Sequence, residues 1–429
     1  MTYSVKMKDR VVLDLGNVKA KSEINGQNLP NVPTAIKRVN QIPKVSDDNI
    51  STRIDQIFEE LTVEISSNAI NRGGLFYIGQ RALMHPPAIA MPIKNGKKYE
   101  SDVTIITALG IVAADAVTRA FKEMGSLPDS IQCEDVLASM IPATQAEPIN
   151  CKHLEDRFLN DGHAHTVIVY VGYQKVLVSI TFTDVKVTME GLPAIYAIQK
   201  HQSEMLAAIK ALYTETDSDD DKTKEWKKKV ASYTIEDIVS QRSLSTDIGH
   251  GTSDLPVMNG LKPDRERSEG IEAGVGHAEE SAARALNEEL SNNLTVTRHQ
   301  FDDILLDKLH PHHATAVELM ETANYEQSEF IYNKFTERYQ EIGGNAGLFP
   351  VYGGGSITFK KDLLPMMMKY ATSVRAILLW VPEELAPYMN RDGLEVLAST
   401  IFFSKFEPSL EVLKQDLKNS KGTTQEGEG

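Results

Sequence analysis

Strand-like and helix-like segments alternate along the 429 residues, which predicts an α/β protein. Three observations carry that reading. The chain is too long for one ordinary core and suits two domains of roughly 200 residues each. Its composition, 41% apolar and 24% charged, is globular and not that of a disordered chain. Short β-branched runs that end in Asp-x-Gly sit between stretches with the apolar spacing of helices.

Taken in order, "DRVVLDLGN" is a strand through Val11, Val12 and Leu13 that ends in a turn. "LFYIGQRAL", 75–83, reads as a hairpin around its glycine. "SDVTIITALGIVAADAVTRAFKEMG" has helical spacing, a Ser101 or Asp102 cap, and Gly125 just past its end. "HTVIVYVGYQKVLVSITFTDVKVTM" is strongly β, turning at Gly172 to Lys175. "LPAIYAIQKHQSEMLAAIKALY" reads as one long helix joining two domains, and 214–229 as a charge-rich, solvated insert feeding a short helix. "AEESAARALNEEL" and the stretch from "ATAVELM" to "TERYQEI" are helical. "GLFPVYGGGSITFKKDLLPMMMKY" runs strand, glycine turn, helix, "RAILLWVP" is a buried strand, and the tail 419–429 is expected to be disordered.

Charge narrows the function. The 45 Lys and Arg stand against 60 Asp and Glu, a formal charge of −15. Without a basic patch interleaved with aromatics, such a chain does not grip nucleic acid directly. Two cysteines, Cys133 and Cys151, are too few for a disulfide framework or a cysteine-rich zinc site. The charged start is no signal peptide, and apolar runs such as "AILLWVP" fall short of the ~20 residues that span a bilayer. A soluble, cytoplasmic protein is expected, without a membrane partner.

One feature stands above background. "VVLDLGN" at 11–17 and "LSTDIGHGTSD" at 244–254 each place Asp-x-Gly straight after a candidate strand. Glycine lets backbone N–H groups approach phosphate oxygens, and each aspartate can hold water around Mg²⁺. Lys21 follows Asp14 by seven residues on a returning strand, where its ammonium suits a phosphate. Two ordinary turns would also read this way. No Walker A pattern occurs, and "GHGTSD" lacks the third glycine of a dinucleotide fingerprint.

The order of "LDLGNVKAK", "VTMEGLPAIYAI", "TDIGHGTSD", "GVGHAEESAARAL", "VYGGGS" and "PYMNRDGLEVLAS" resembles the actin/Hsp70/sugar-kinase superfamily, and within it the ParM-type bacterial actins that segregate plasmids. The resemblance runs from about Val11 to Ser399. It implies an actin-like (ribonuclease H-like) fold with a nucleotide cleft between two domains. Domain I would hold 1–205, with a C-terminal helix at 400–418 returning to it, and domain II would hold 206–399.

The same resemblance implies roles for residues. Asp14, Gly16, Asn17 and Lys21 match the first phosphate loop, with Lys19 the competing lysine. Asp247, Gly249, Gly251 and Thr252 match the second. Gly353, Gly354, Gly355 and Ser356 match the adenosine-side turn. Asp14 and Asp247 would hold Mg²⁺ through water. Glu190 in "TMEG" would position the attacking water, assisted by Asp247; a first-turn glutamate favoured by the helix dipole is the plainer alternative.

The implied activity is ATP hydrolysis, with GTP the alternative nucleotide, coupled to filament assembly. The implied partners are further copies of the chain and a basic DNA-binding adaptor on a centromere-like repeat. A monomeric sugar or acid kinase and a nucleotide-binding scaffold are the rivals. Two departures stand out: His250 where relatives carry a small residue, read as a solvent-facing turn histidine, and a polar "QRSLST" before Asp247. "HAH" at 163–165 and "HPHH" at 310–313 read as surface histidines in preference to a zinc site.

Overall fold

The computed structural model describes residues 2–42, 49–91, 97–217, 219–290 and 295–415. The expected disordered tail lies outside the described residues.

Two mixed sheets organise the chain. In the first, Arg10–Leu15 lies beside Ser130–Ile141, which lies beside Gln174–Met189, all parallel. Hairpin partners extend the sheet outward: Lys19–Ile24 on one side, and His165–Val171, Thr62–Ser66 and Gly74–Ile78 on the other. In the second, Leu348–Tyr352 is central, parallel to Arg242–Leu244, Thr246–Ile248 and Ile377–Trp380. Strands buried on both faces read as continuous apolar runs, as Leu348–Tyr352 and Ile377–Trp380 do.

Helix Asp102–Met124 lies on one face of the first sheet. Ser101 caps it, its hydroxyl accepting from the Val103 N–H, and Gly125 closes it in the left-handed region at φ 70°. A Cβ on Gly110 would come within 2.4 Å of Ile78 Cδ1, so the glycine sets how closely helix and sheet approach. This helix is long and apolar enough to cross a membrane, which amends the expectation that no segment is. Within the protein 89% of its most apolar window is buried, so it serves as a core helix. The opposite face, at Val12, Val136, Ala138 and Met140, is covered by Leu394, Ala398 and Phe403.

Period-2 alternation divides the second sheet between two cores. Leu348, Tyr352, Ile377 and Leu379 join the large core that also fills the first sheet, through helices Gln202–Leu212, Asp221–Ala231 and Ile235–Val239. Phe349, Val351, Leu378 and Trp380 face the other way, onto Val275–Glu289, His313–Glu341 and Lys360–Val374. One apolar core therefore runs continuously beneath both sheets.

Three local expectations need correction, and the polar strand before Asp247 is short and interrupted, as its composition suggests. Residues 75–83 form a strand, Gly74–Ile78, then a short helix, Gln80–Leu83, because Gly79 turns the chain at φ 67°. The long helix from 192 is two helices, Ala194–Lys200 and Gln202–Leu212, broken at His201, whose Nε2 lies 2.8 Å from Asp392 Oδ2. The polar "QRSLST" forms two short strands interrupted at Ser245. The segment expected as a C-terminal helix does return to the first sheet, but as strand Ser409–Gln415 pairing antiparallel with Thr2–Lys8. That open strand edge satisfies its backbone where a helix would have left the edge bare.

Candidate functional site

The two Asp-x-Gly segments fold as the same device. In the first, Arg10–Leu15 and Lys19–Ile24 pair so that Asp14 faces Lys21; in the second, Thr246–Ile248 and Ser253–Leu255 pair so that Asp247 faces Asp254. Each glycine folds tightly onto the carbonyl three residues on. A Cβ on Gly16 would lie 2.9 Å from Lys19 O, and one on Gly249 would lie 2.8 Å from Thr252 O. Both hairpins open onto one cleft of about 230 Å³ between the sheets. Asp14, Gly16, Asn17, Lys19 and Lys21 line it from one side, and Asp247, Gly249, His250, Gly251, Thr252 and Asp254 from the other.

The glycine turn after Leu348–Tyr352 supplies the floor. Gly353 has φ 85°, and a Cβ there would meet Ile248 O at 2.4 Å and Asp247 Oδ1 at 2.5 Å. Gly353 and Gly354 line the cleft; Gly355 and Ser356 do not. Gly355 is pressed against Ile248, and the buried Ser356 hydroxyl donates to Gly353 O at 2.8 Å. Their place is to shape the turn.

Glu190 reaches the cleft from the end of Gln174–Met189, its N–H donating to Ile141 O at 2.8 Å. Gly191 then turns at φ 82° under Pro256, whose Cγ would lie 2.4 Å from an added Cβ. Of the competing lysines, Lys21 Nζ lies 3.2 Å from Asp14 Oδ2, while the Lys19 side is exposed.

Three residues that sequence reasoning left unassigned complete the site. Asn390, from helix Met389–Leu397, donates from Nδ2 to Asp247 Oδ2 at 2.6 Å and accepts the Gly191 N–H at Oδ1, 3.0 Å. One amide thus straps the carboxylate of the second sheet to the strand end that carries Glu190. Lys98 Nζ donates to Glu190 Oε1 at 2.5 Å. Asp254 accepts the Ala143 N–H at 3.2 Å. Asn390 lay within a quoted motif and Asp254 at the end of another; Lys98 carried no sequence signal.

Four carboxylates, Asp14, Glu190, Asp247 and Asp254, therefore share this region with three ammonium groups, Lys21, Lys98 and the exposed Lys19. Burial, reinforced by Glu190, pushes Asp247 up to about 7 against the Asn390 hydrogen bond and Lys21. Burial, with Glu190 and Asp247 beside it, pushes Asp254 well above the usual carboxylate range. Burial alone would depress Lys21, but Asp14, Asp247 and Glu190 outweigh it and hold the ammonium above its ordinary value. The cleft is short of cations, which favours a ligand that brings one.

The histidines separate. His250 Nε2 stands 3.6 Å from Glu279 Oε2, and its carbonyl accepts the Gly276 N–H at 2.7 Å, so it packs against helix Val275–Glu289 and does not simply face solvent. His163 precedes the strand, and His165 is a core residue whose Nε2 bonds Phe158 O at 2.7 Å, with Ser67 Oγ at 2.7 Å from Nδ1. This corrects its reading as a surface histidine. His313 Nδ1 bonds Ile304 O at 3.1 Å.

No protein-family model and no curated protein matches the sequence. Solved structures do. The crystal structure of the actin-like protein Alp7A is similar over 93% of this chain and 98% of its own, with TM-score 0.62 and 16% identity. A Clostridium botulinum ParM, solved as a 15-stranded filament, covers 92% of this chain and 99% of its own at TM-score 0.61 and 16% identity. The fold is actin-like. Bacillus thuringiensis ParM solved with ATP is similar over 91% of this chain and 98% of its own, TM-score 0.55, 16% identity. In this chain the two hairpins, the glycine turn and Asn390 converge on one cleft between the two sheets.

Proposed function

We propose that the chain is a nucleotide-driven, filament-forming protein that binds and hydrolyses ATP, or GTP, with Mg²⁺. The observation that carries this is the pair of matched Asp-x-Gly hairpins facing each other across one cleft of an actin-like fold. Gly16, Gly249 and Gly353, where a Cβ has no room, form a cradle of bare backbone suited to phosphate oxygens. Asp14 and Asp247 are the carboxylates that would hold Mg²⁺ through its waters. Among the described residues no three His, Cys, Asp or Glu form a ready metal cage, which fits a cation that keeps most of its waters. Bound there, Mg²⁺ would neutralise phosphate charge.

The chain's own residues do the rest. Lys21 carries a half-buried positive charge to the phosphate side. Glu190 holds and orients the attacking water as a hydrogen-bond acceptor, with Asp247 beside it. The likeness to a ParM solved as a filament supports assembly with further copies of the chain. In the cytoplasm such a filament would move plasmid DNA through a basic adaptor on a centromere-like repeat, an indirect grip that suits a charge of −15.

The test is sedimentation and light scattering with ATP, GTP and a non-hydrolysable analogue, with phosphate release followed in parallel. Assembly that requires triphosphate and reverses as phosphate is released supports the reading. A chain that stays soluble and consumes ATP only with an acceptor is a kinase instead. Glu190→Ala is expected to assemble normally and release phosphate at least about tenfold more slowly, lengthening filament lifetime. Release at the parental rate would remove Glu190 from its assigned role.

A further inference from the structure

Glu190 does not stand alone at the cleft. Its partner Lys98 is 2% exposed and is not among the residues that line the cavity, so the ammonium meets Glu190 from the protein side. The backbone around Lys98 is fixed at two atoms. Its N–H donates to Gln145 Oε1 at 2.9 Å, and its carbonyl accepts the Thr104 hydroxyl at 2.9 Å. Gln145 closes the short turn Ala143–Gln145, which follows strand Ser130–Ile141 of the first sheet. The second sheet grips the same turn. Asp254 accepts the Ala143 N–H, and an added Cβ on Gly270 would sit 2.6 Å from Thr144 Cγ2.

We propose that Lys98 is a positioning residue for Glu190, set in register with the second sheet through the Ala143–Gln145 turn. The inference deepens the hydrolase reading and rests on it. Glu190 is faced by Asp247 and Asp254 from the second sheet, by Lys21 from the first hairpin and by Lys98 from the segment before helix Asp102–Met124. Two nearby carboxylates repel a third, and a buried ammonium at hydrogen-bond distance offsets that repulsion. The contact commits Oε1 to Lys98 and leaves Oε2 to accept from water. Since Asp254 and Lys98 hold opposite ends of one turn, movement of the second sheet relative to the first moves the anchor of Lys98. Glu190 is then correctly placed only in one closure of the cleft.

Phosphate release by the full chain, measured across triphosphate concentration with Mg²⁺, tests this. Lys98→Met is expected to lower kcat between about ten- and a hundredfold with KM within about twofold. Lys98→Arg should recover most of the rate. In a Glu190→Gln background, Lys98→Met should change the rate by less than about twofold, because the group it positions is gone. Parental kcat in Lys98→Met, or an undiminished loss in the Glu190→Gln background, would overturn the proposal. Should Lys98→Met not fold, Gln145→Ala carries the test, since it leaves the charges paired; an unchanged kcat there overturns it equally. A parent that releases no phosphate from any triphosphate sinks the hydrolase reading and this inference together. A parent that hydrolyses while the variants do so equally sinks the inference alone.

Discussion

At Gly353 the requirements of backbone and site coincide. A φ of 85° is strained for any L side chain, and the missing Cβ is the space that Asp247 Oδ1 and Ile248 O occupy. Gly354, its neighbour, has φ −61° and open space around it. Gly353→Ala is therefore expected to cost about 3 kcal/mol or more and to abolish nucleotide binding by displacing Asp247. Gly354→Ala should leave stability within about 0.5 kcal/mol. Thermal melts with and without nucleotide separate the two. Equal melting temperatures for both variants would mean that the close approach at Gly353 is not a constraint.

Helix Met389–Leu397 is the element on which the cleft turns. It supplies Asn390 to the site, and at Gly393 it lies so close to the start of helix Ala194–Lys200 that an added Cβ would fall 1.8 Å from Pro193 O. Backbone cannot yield at that distance as a flexible side chain can, so Gly393→Ala must push the helices apart. Its expected cost is about 3 kcal/mol, with a loss of nucleotide affinity as Asn390 leaves Asp247 and Gly191. If denaturant melts of Gly393→Ala match the parent, the helix is held by other contacts.

What was legible in the sequence divides along the same physical line. Local signals stood: Ser101 and Gly125 mark the ends of Asp102–Met124, and the β-branched run marks His165–Val171. Asp14 and Asp247 stand out in the sequence as a repeated Asp-x-Gly at strand ends, and the family resemblance adds Glu190 and Gly353. Contacts made at long range left no local trace. The strand at 409–415 depends on a free edge four hundred residues earlier in the chain, and the break at His201 depends on Asp392. Lys98 acquires its meaning only when folding brings it to Glu190.

Over the whole molecule, buried carboxylates make stability depend on pH. Burial pushes Asp247 up to about 7 despite Asn390, Glu23 up to about 7 despite Lys200, and Glu279 up to about 7 despite Arg298. Their ordinary values are 3.8 for the aspartate and 4.5 for the glutamates. Between those values and 7, the folded chain keeps protons that the unfolded chain has lost. The resulting preference for the folded state is full below the window's lower end in proton terms and declines as pH rises through it, by up to about 1.4 kcal/mol per unit for each group. The nucleotide-free chain should accordingly melt at lower temperature at about pH 8 than at about pH 6. Mg²⁺-nucleotide acts in the opposite sense, because it binds the Asp247 anion and gains where the proton has already left. The rise in melting temperature on adding Mg²⁺-nucleotide should thus grow from about pH 6 to about pH 8. Asp247→Asn keeps the Asn390 contact within reach but has no proton to lose. Its nucleotide-free melting temperature should fall less steeply with pH than the parent's, and Mg²⁺-nucleotide should raise it little at any pH. A parental pH slope in Asp247→Asn would place the titration elsewhere, at Glu23 or Glu279, and separate the pH response from the cleft.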